Sequence, residues 1–104
     1  MEPFGIYIAF ISWGSDGKRR PVLVISQADA FVSVFRITSQ YESKSQAVQA
    51  QYFPISEWRE AGLEKASYID TGELLELPVT AVSEQQSIGY LSTLDKENLL
   101  EFLS

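Results

Sequence analysis

A mainly β domain, built as a small barrel with a short internal helix and a C-terminal helix, is the fold this sequence predicts. Three observations carry that expectation. Runs of β-branched and aromatic residues recur at short, regular spacing with turn residues between them. No helix of crossover length separates the first strands, which argues against a doubly wound α/β sheet. The 104 residues are 45% hydrophobic, enough for one core and too much for a disordered chain, so residues 1–104 are read as a single domain.

Taken in order, Gly5 to Trp13 and Pro21 to Ser26 read as strands separated by the loop Gly14-Ser15-Asp16-Gly17. Phe31 to Thr38 alternates, with Phe31, Ser33, Phe35 and Ile37 on one face and Val32, Val34, Arg36 and Thr38 on the other. Residues 40–46 are a polar loop, and Ala47 to Phe53 reads as a further strand with weaker alternation. Ser56 is placed to cap a short helix ending at Ala61, with Gly62 as its left-handed stop and Leu63 folding back on Trp58. Ser67 to Ile69, Glu73 to Leu77 and Val79 to Val82 are expected strands, with a turn or bulge at Thr71-Gly72. Ser87 to Leu91 leads into a last helix capped by Ser92 or Thr93, with Asp95 in its first turn and an apolar stripe of Leu99, Leu100 and Leu103.

Composition excludes several chemistries. The chain has no Cys and no His, so disulfides, thiolate nucleophiles, the usual zinc sites and the commonest general acid/base are absent. No metal and no cofactor are expected, and catalysis must rest on Arg, Lys, Ser, Thr, Tyr or carboxylates. The N-terminus lacks the basic region of a signal peptide and no apolar run approaches the roughly 20 residues of a membrane span, so a cytoplasmic protein without membrane association is expected.

Charge is unevenly placed. The formal net charge is −6, yet residues 1–50 carry a net of +1 and residues 51–104 a net of −7. Three of the eight basic residues form Lys18-Arg19-Arg20, directly before Pro21 and an apolar strand. A cationic triplet where cations are scarce points to an anionic client. Lys18 and Arg19 are candidate phosphate clamps for RNA. Trp13 and Tyr41 are candidate platforms for unpaired bases.

The order of motifs resembles the MazF/PemK family of toxin endoribonucleases over nearly the whole chain. The residues that carry the likeness are Gly5-Ile6-Tyr7-Ile8-Ala9-Phe10, Arg20-Pro21-Val22-Leu23-Val24-Ile25, Ile37-Thr38-Ser39 and Ile88-Gly89-Tyr90-Leu91-Ser92, with Trp58 to Ser67 similar to the short helix and following strand of shorter members. The resemblance implies an SH3-like barrel that forms a homodimer, cleaves single-stranded mRNA without metal, and is silenced by an antitoxin whose C-terminal segment wraps it. Such a partner would be a small protein with a DNA-binding N-terminus and a disordered tail. It also implies that Arg20, of the Arg-Pro pair, and Thr38 and Ser39 line the catalytic site. Where many relatives carry Arg-x-Asp after the strand matching Ser67 to Ile69, this chain has Asp70-Thr71-Gly72.

The chemistry asked of such a site is in-line attack of a ribose 2′-OH on the neighbouring phosphorus. Arg20 suits the charge that develops on the phosphorane, because a planar guanidinium holds two phosphate oxygens and stays charged. Thr38 or Ser39 can bond a phosphate oxygen or orient the 2′-OH. For the proton relay the candidates are Asp16, Asp70, Glu73, Lys18 or a second arginine. The departure at Asp70 to Gly72 and the acidic second half support a different reading, a catalytically impaired fold of this type acting as a protein- or nucleic-acid-binding module. A third, an SH3-like peptide binder, rests on fold analogy. The expected dimer is two-fold symmetric, buries Leu99, Leu100 and Leu103 at least partly, and presents both Arg20 side chains to one groove.

Overall fold

The computed structural model describes residues 1–104 apart from the side chain of Trp13. Its elements are β1 (Gly5–Trp13), β2 (Asp16–Ala28), β3 (Phe31–Thr38), a four-residue helix α1 (Gln46–Gln49), β4 (Tyr52–Pro54), β5 (Tyr68–Pro78), a 3-10 turn (Val79–Ala81), β6 (Val82–Tyr90) and α2 (Thr93–Leu103). The strands form one antiparallel sheet in the order β4-β5-β3-β2-β1-β6. The mainly β class holds, but the barrel is not closed, because the edge strands β4 and β6 do not pair with each other.

The first three strands follow from local pattern, except that β2 begins at Asp16 and not Pro21, because pairing with β1 carries Asp16 to Arg20, expected outside the strand, into the ladder. β1 and β2 pair without interruption from Ile6↔Leu23 to Trp13↔Asp16, and Gly14 turns the hairpin at φ 57°, where glycine carries no Cβ penalty. Alternation along these strands feeds two apolar layers. Ile6, Leu23, Phe35, Ile37, Ile69 and Leu99 pack on one side, and Tyr7, Ala9, Val22, Val24, Val32 and Val34 on the other. A sheet buried on both faces reads as continuous apolar runs, which is the texture of Pro21 to Ile25.

Beyond β3 the structure departs from the expected elements. Gln46 to Gln49 is helical, not extended, because Ser45 Oγ accepts the Val48 N–H and caps the turn; only Tyr52 to Pro54 pairs as a strand. The expected helix over Ser56 to Ala61 is a single turn. It ends as anticipated: Gly62 donates to Arg59 O and Leu63 to Trp58 O, with Gly62 at φ 90°. Its start does not use the Ser56 hydroxyl. The Asp95 carboxylate, in the first turn of α2, accepts the N–H groups of Ser56 at 3.0 Å and Glu57 at 2.8 Å. The turn lies backbone-to-backbone on β6: a Cβ at Gly62 would stand 2.5 Å from Ile88 O, and one at Gly89 2.5 Å from Ala61 O.

β5 is one continuous strand where two were expected, with the Thr71-Gly72 irregularity inside it. Val34 pairs with Leu75 and Arg36 with Asp70, so residues 71–74 bulge opposite Phe35. Val79 to Ala81 forms a 3-10 turn in place of a strand. α2 starts at Ser92, whose Oγ accepts the Asp95 N–H. The leucine stripe divides: Leu99 is fully buried in the core, whereas Leu100 and Leu103 stay exposed along with Leu94 and Phe102. No helix is long and apolar enough to cross a membrane among the described residues.

Candidate functional site

Strand register decides which side chains meet. Val22 of β2 lies opposite Arg36 of β3, so Arg20 and Lys18, at even spacing from Val22, share a sheet face with Arg36 and Thr38. Arg36 lies opposite Asp70, and Asp70 opposite Tyr52 of β4. One row thus runs across the sheet through an arginine, a carboxylate and a phenol.

These residues line a cleft of about 950 Å³. Lys18, Arg20, Arg36, Lys44 and Lys65 face it together with Thr38, Ser39 and Ser67, while the carboxylates at its wall are Glu64 and Asp70. Five of the eight basic residues of a chain with net charge −6 therefore gather at one opening. Such a concave, mainly cationic surface focuses field lines and raises the local concentration of an anionic ligand.

The ion pairs among the described residues are Arg36 Nη2 to Asp70 Oδ2 at 3.3 Å and to Glu73 Oε1 at 3.7 Å. Lys18, Arg20, Lys44 and Lys65 have no carboxylate within 4.0 Å among those residues, leaving their charge for an incoming group. The Thr38 hydroxyl accepts the Gln40 N–H at 3.0 Å, a turn device at the end of β3. Its own proton stays free to donate into the cleft. Burial pushes the Tyr52 phenol above its ordinary value, the Asp70 carboxylate adds to that, and Arg36 opposes it. At neutral pH Tyr52 is a neutral hydrogen-bond donor.

The structure gathers Lys18, Arg20, Thr38 and Ser39 at the cleft. Arg19 is separated from them. It lies opposite Phe10 of β1 and faces a second, smaller depression lined by Phe10, Thr80, Ser83, Gln85 and Gln86. Of the proton-relay candidates, Asp70 and Lys18 line the cleft, Glu73 reaches Arg36 from the β5 bulge, and Asp16 sits at the hairpin tip. Tyr41 stacks on Tyr68, ring centroids 4.4 Å apart at 15°, beside Tyr52. The Trp13 side chain lies outside the described residues.

Three cations at the cleft are not singled out by the sequence: Arg36, Lys44 and Lys65. For Arg36 a signal exists, since alternation within Phe31 to Thr38 puts it on the Thr38 face. Lys65 has none, as it comes from the strongly acidic half.

No protein-family model matches the sequence, and no curated protein matches it. Solved structures do. The Mycobacterium tuberculosis toxin MazF-mt6 superposes with a TM-score of 0.70 at 24% identity, over 95% of this chain and 91% of that one. A crystal structure described as an Mtb toxin gives a TM-score of 0.67 at 23% identity, over 95% of this chain and 94% of that one. Likeness that spans both chains nearly end to end establishes the architecture: this protein has the MazF toxin fold.

Proposed function

We propose that this protein is the toxin of a toxin–antitoxin pair and a metal-independent endoribonuclease that cuts single-stranded mRNA. The observation that carries the reading is the convergence of five cations with the Thr38 and Ser39 hydroxyls on one cleft of an otherwise acidic molecule. The MazF toxin fold supports it.

In the proposed reaction the ribose 2′-oxygen forms a bond to the adjacent phosphorus and the bond to the 5′-oxygen breaks, leaving a 2′,3′-cyclic phosphate and a 5′-hydroxyl. Arg20 binds the phosphoryl oxygens and stabilises the extra charge of the phosphorane. Thr38 or Ser39 donates to a phosphate oxygen or aligns the 2′-OH. Lys18, Lys44 and Lys65 track the flanking phosphates, and Arg19 adds charge on the outer face of the same hairpin for the strand leaving the cleft. The 2′-OH gives up its proton as it attacks and the leaving 5′-oxygen takes one up; in a chain without His or Cys the relay candidates that line the cleft are Asp70 as base and Lys18 as acid.

The test is incubation with assorted single-stranded RNAs at low salt in EDTA. Cleavage with cyclic-phosphate ends is expected, blocked by a single 2′-deoxy sugar at the cut site. RNA that is bound and left intact would replace this reading with that of a binding module, which the Asp70-Thr71-Gly72 segment favours. RNA neither bound nor cut would end both.

The working unit is proposed to be a homodimer with both Arg20 side chains on a shared groove, bound and silenced in the cytoplasm by its antitoxin. Leu100 and Leu103, left exposed on α2, supply apolar surface for a second copy. Light scattering at micromolar concentration should give twice the 11.7 kDa chain mass; a value at the chain mass would remove the shared groove.

A further inference from the structure

Of the five cations at the cleft, Arg36 alone is matched by carboxylates among the described residues: strand register sets Asp70 opposite it, and the β5 bulge brings Glu73. Four residues, 71–74, stand opposite the single Phe35. Thr71 anchors the bulge by donating both its N–H, at 2.9 Å, and its hydroxyl, at 2.6 Å, to Gln51 O. Gly72 donates its N–H to Asp70 Oδ1 at 2.9 Å, which holds that carboxylate with Oδ2 turned to Arg36. Gly72 also lies against the Gln51 side chain, where an added Cβ would stand 2.3 Å from Oε1 and push that flexible amide aside. The same turn carries Glu73 round to the guanidinium.

The ion pairs themselves are loose. Both carboxylates meet the same nitrogen, Nη2, at 3.3 and 3.7 Å, longer than the roughly 2.7–2.9 Å of a tight charge-assisted bond. The Arg36 side chain is 38% exposed and that of Glu73 63%. Partly solvated pairs that share one nitrogen are weak and exchangeable. Arg36 itself lines the cleft.

We propose that Arg36 is a phosphate-binding residue of the cleft and that Asp70 and Glu73 are built-in competitor ligands for it, setting how tightly the cleft holds a polyanion. A phosphate that enters displaces Glu73 first, the more exposed of the two, and then shares or takes Arg36 from Asp70. The inference rests on the RNA reading for its substrate, but the competition applies to any phosphate chain.

The experiment compares the full-length wild type with Glu73→Gln and with the double variant Asp70→Asn, Glu73→Gln. The probes are a fully 2′-O-methylated single-stranded RNA, which cannot be cut, and inorganic polyphosphate, each at two salt concentrations. The double variant should bind both probes about three- to tenfold more tightly at low salt, with Glu73→Gln part of the way. Its salt slope should steepen by about 0.7, the increment for one more neutralised phosphate on a single strand. Adding Arg36→Ala should return both affinity and slope to the wild-type range or below. Asn keeps the oxygen that accepts the Gly72 N–H, and unchanged thermal unfolding confirms the fold; Glu73→Gln, at an exposed position, reads the same sign if the double variant unfolds. Equal or weaker binding of both probes would overturn the proposal, showing that the carboxylates orient Arg36 and do not compete for it. Tighter polyphosphate binding with no RNA binding in any variant would keep the competition and sink the RNA reading. Binding of neither probe by any variant would overturn both.

Discussion

Replacing Arg20 by alanine is expected to lower the rate of the proposed RNA cleavage about 10²- to 10³-fold while leaving the fold intact. The rate loss is that of removing one donor aimed at charge that appears only in the transition state. The fold should survive because Arg20 is partly exposed on β2 and has no carboxylate within 4.0 Å among the described residues, so no buried partner is orphaned; stability should change by no more than about 0.5 kcal/mol. Arg20→Lys keeps the charge and loses the two-pronged geometry, and should recover only part of the rate. Arg19→Ala is the informative neighbour. One residue away but on the other face of β2, it should alter salt-dependent RNA binding and leave single-turnover cleavage within a few-fold of wild type. Equal loss of turnover in the two variants, or none in Arg20→Ala, would remove Arg20 from the reaction.

Asp95→Ala should be the most damaging substitution for stability. Asp95 is fully buried, and its two oxygens accept the N–H groups of Ser56 and Glu57 while the Ser92 hydroxyl lies 3.4 Å from Oδ2. Hydrogen bonds to a charged acceptor are worth roughly 1.5–3 kcal/mol each, and removing the acceptor leaves two donors without partners, so a loss of about 3–5 kcal/mol is expected. That is a large share of the roughly 5–15 kcal/mol that holds a domain of this size folded. Asp95→Asn separates chemistry from volume: the amide fits the same space, yet its NH₂ would face an N–H that needs an acceptor. Urea denaturation should show Asn nearly as damaging as Ala, whereas Ser92→Ala, which removes the cap of α2 and one long hydrogen bond to Asp95 Oδ2, should cost about 1 kcal/mol. An Asn variant within about 1 kcal/mol of wild type, the size of one ordinary hydrogen bond, would show that the carboxylate is not what ties the 56–62 turn to α2.

Asp95 also marks the limit of what local pattern discloses. Its place in the first turn of a Ser92-capped helix is legible from the residues around it, and so are the turn at Gly14, the alternation of β3 and the left-handed stop at Gly62. Each depends on contacts within a few positions of chain. That Asp95 caps a second turn 39 residues earlier is not legible, because the donors at Ser56 and Glu57 meet it only once α2 has folded onto the sheet. The departure at Ala47 to Gln49 has the same cause. Weak alternation there suggests a strand, but pairing with β5 begins only at Tyr52, and the Ser45 cap takes the preceding turn into a helix.

The sequence alone determined the mainly β class, the three-stranded start and the terminal helix, because periodicity and capping are properties of the chain itself; the grouping of Arg20 with the Thr38-Ser39 hydroxyls was implied only by the family resemblance. Only the tertiary structure decided that Arg19 turns away from Arg20, and that Arg36, Lys44, Lys65, Tyr52 and Asp70 complete the cleft. Those placements depend on register across four strands and on a four-residue bulge in β5. A one-residue slip in a strand reverses every side chain along it, so no single segment carries the information that places two of them face to face.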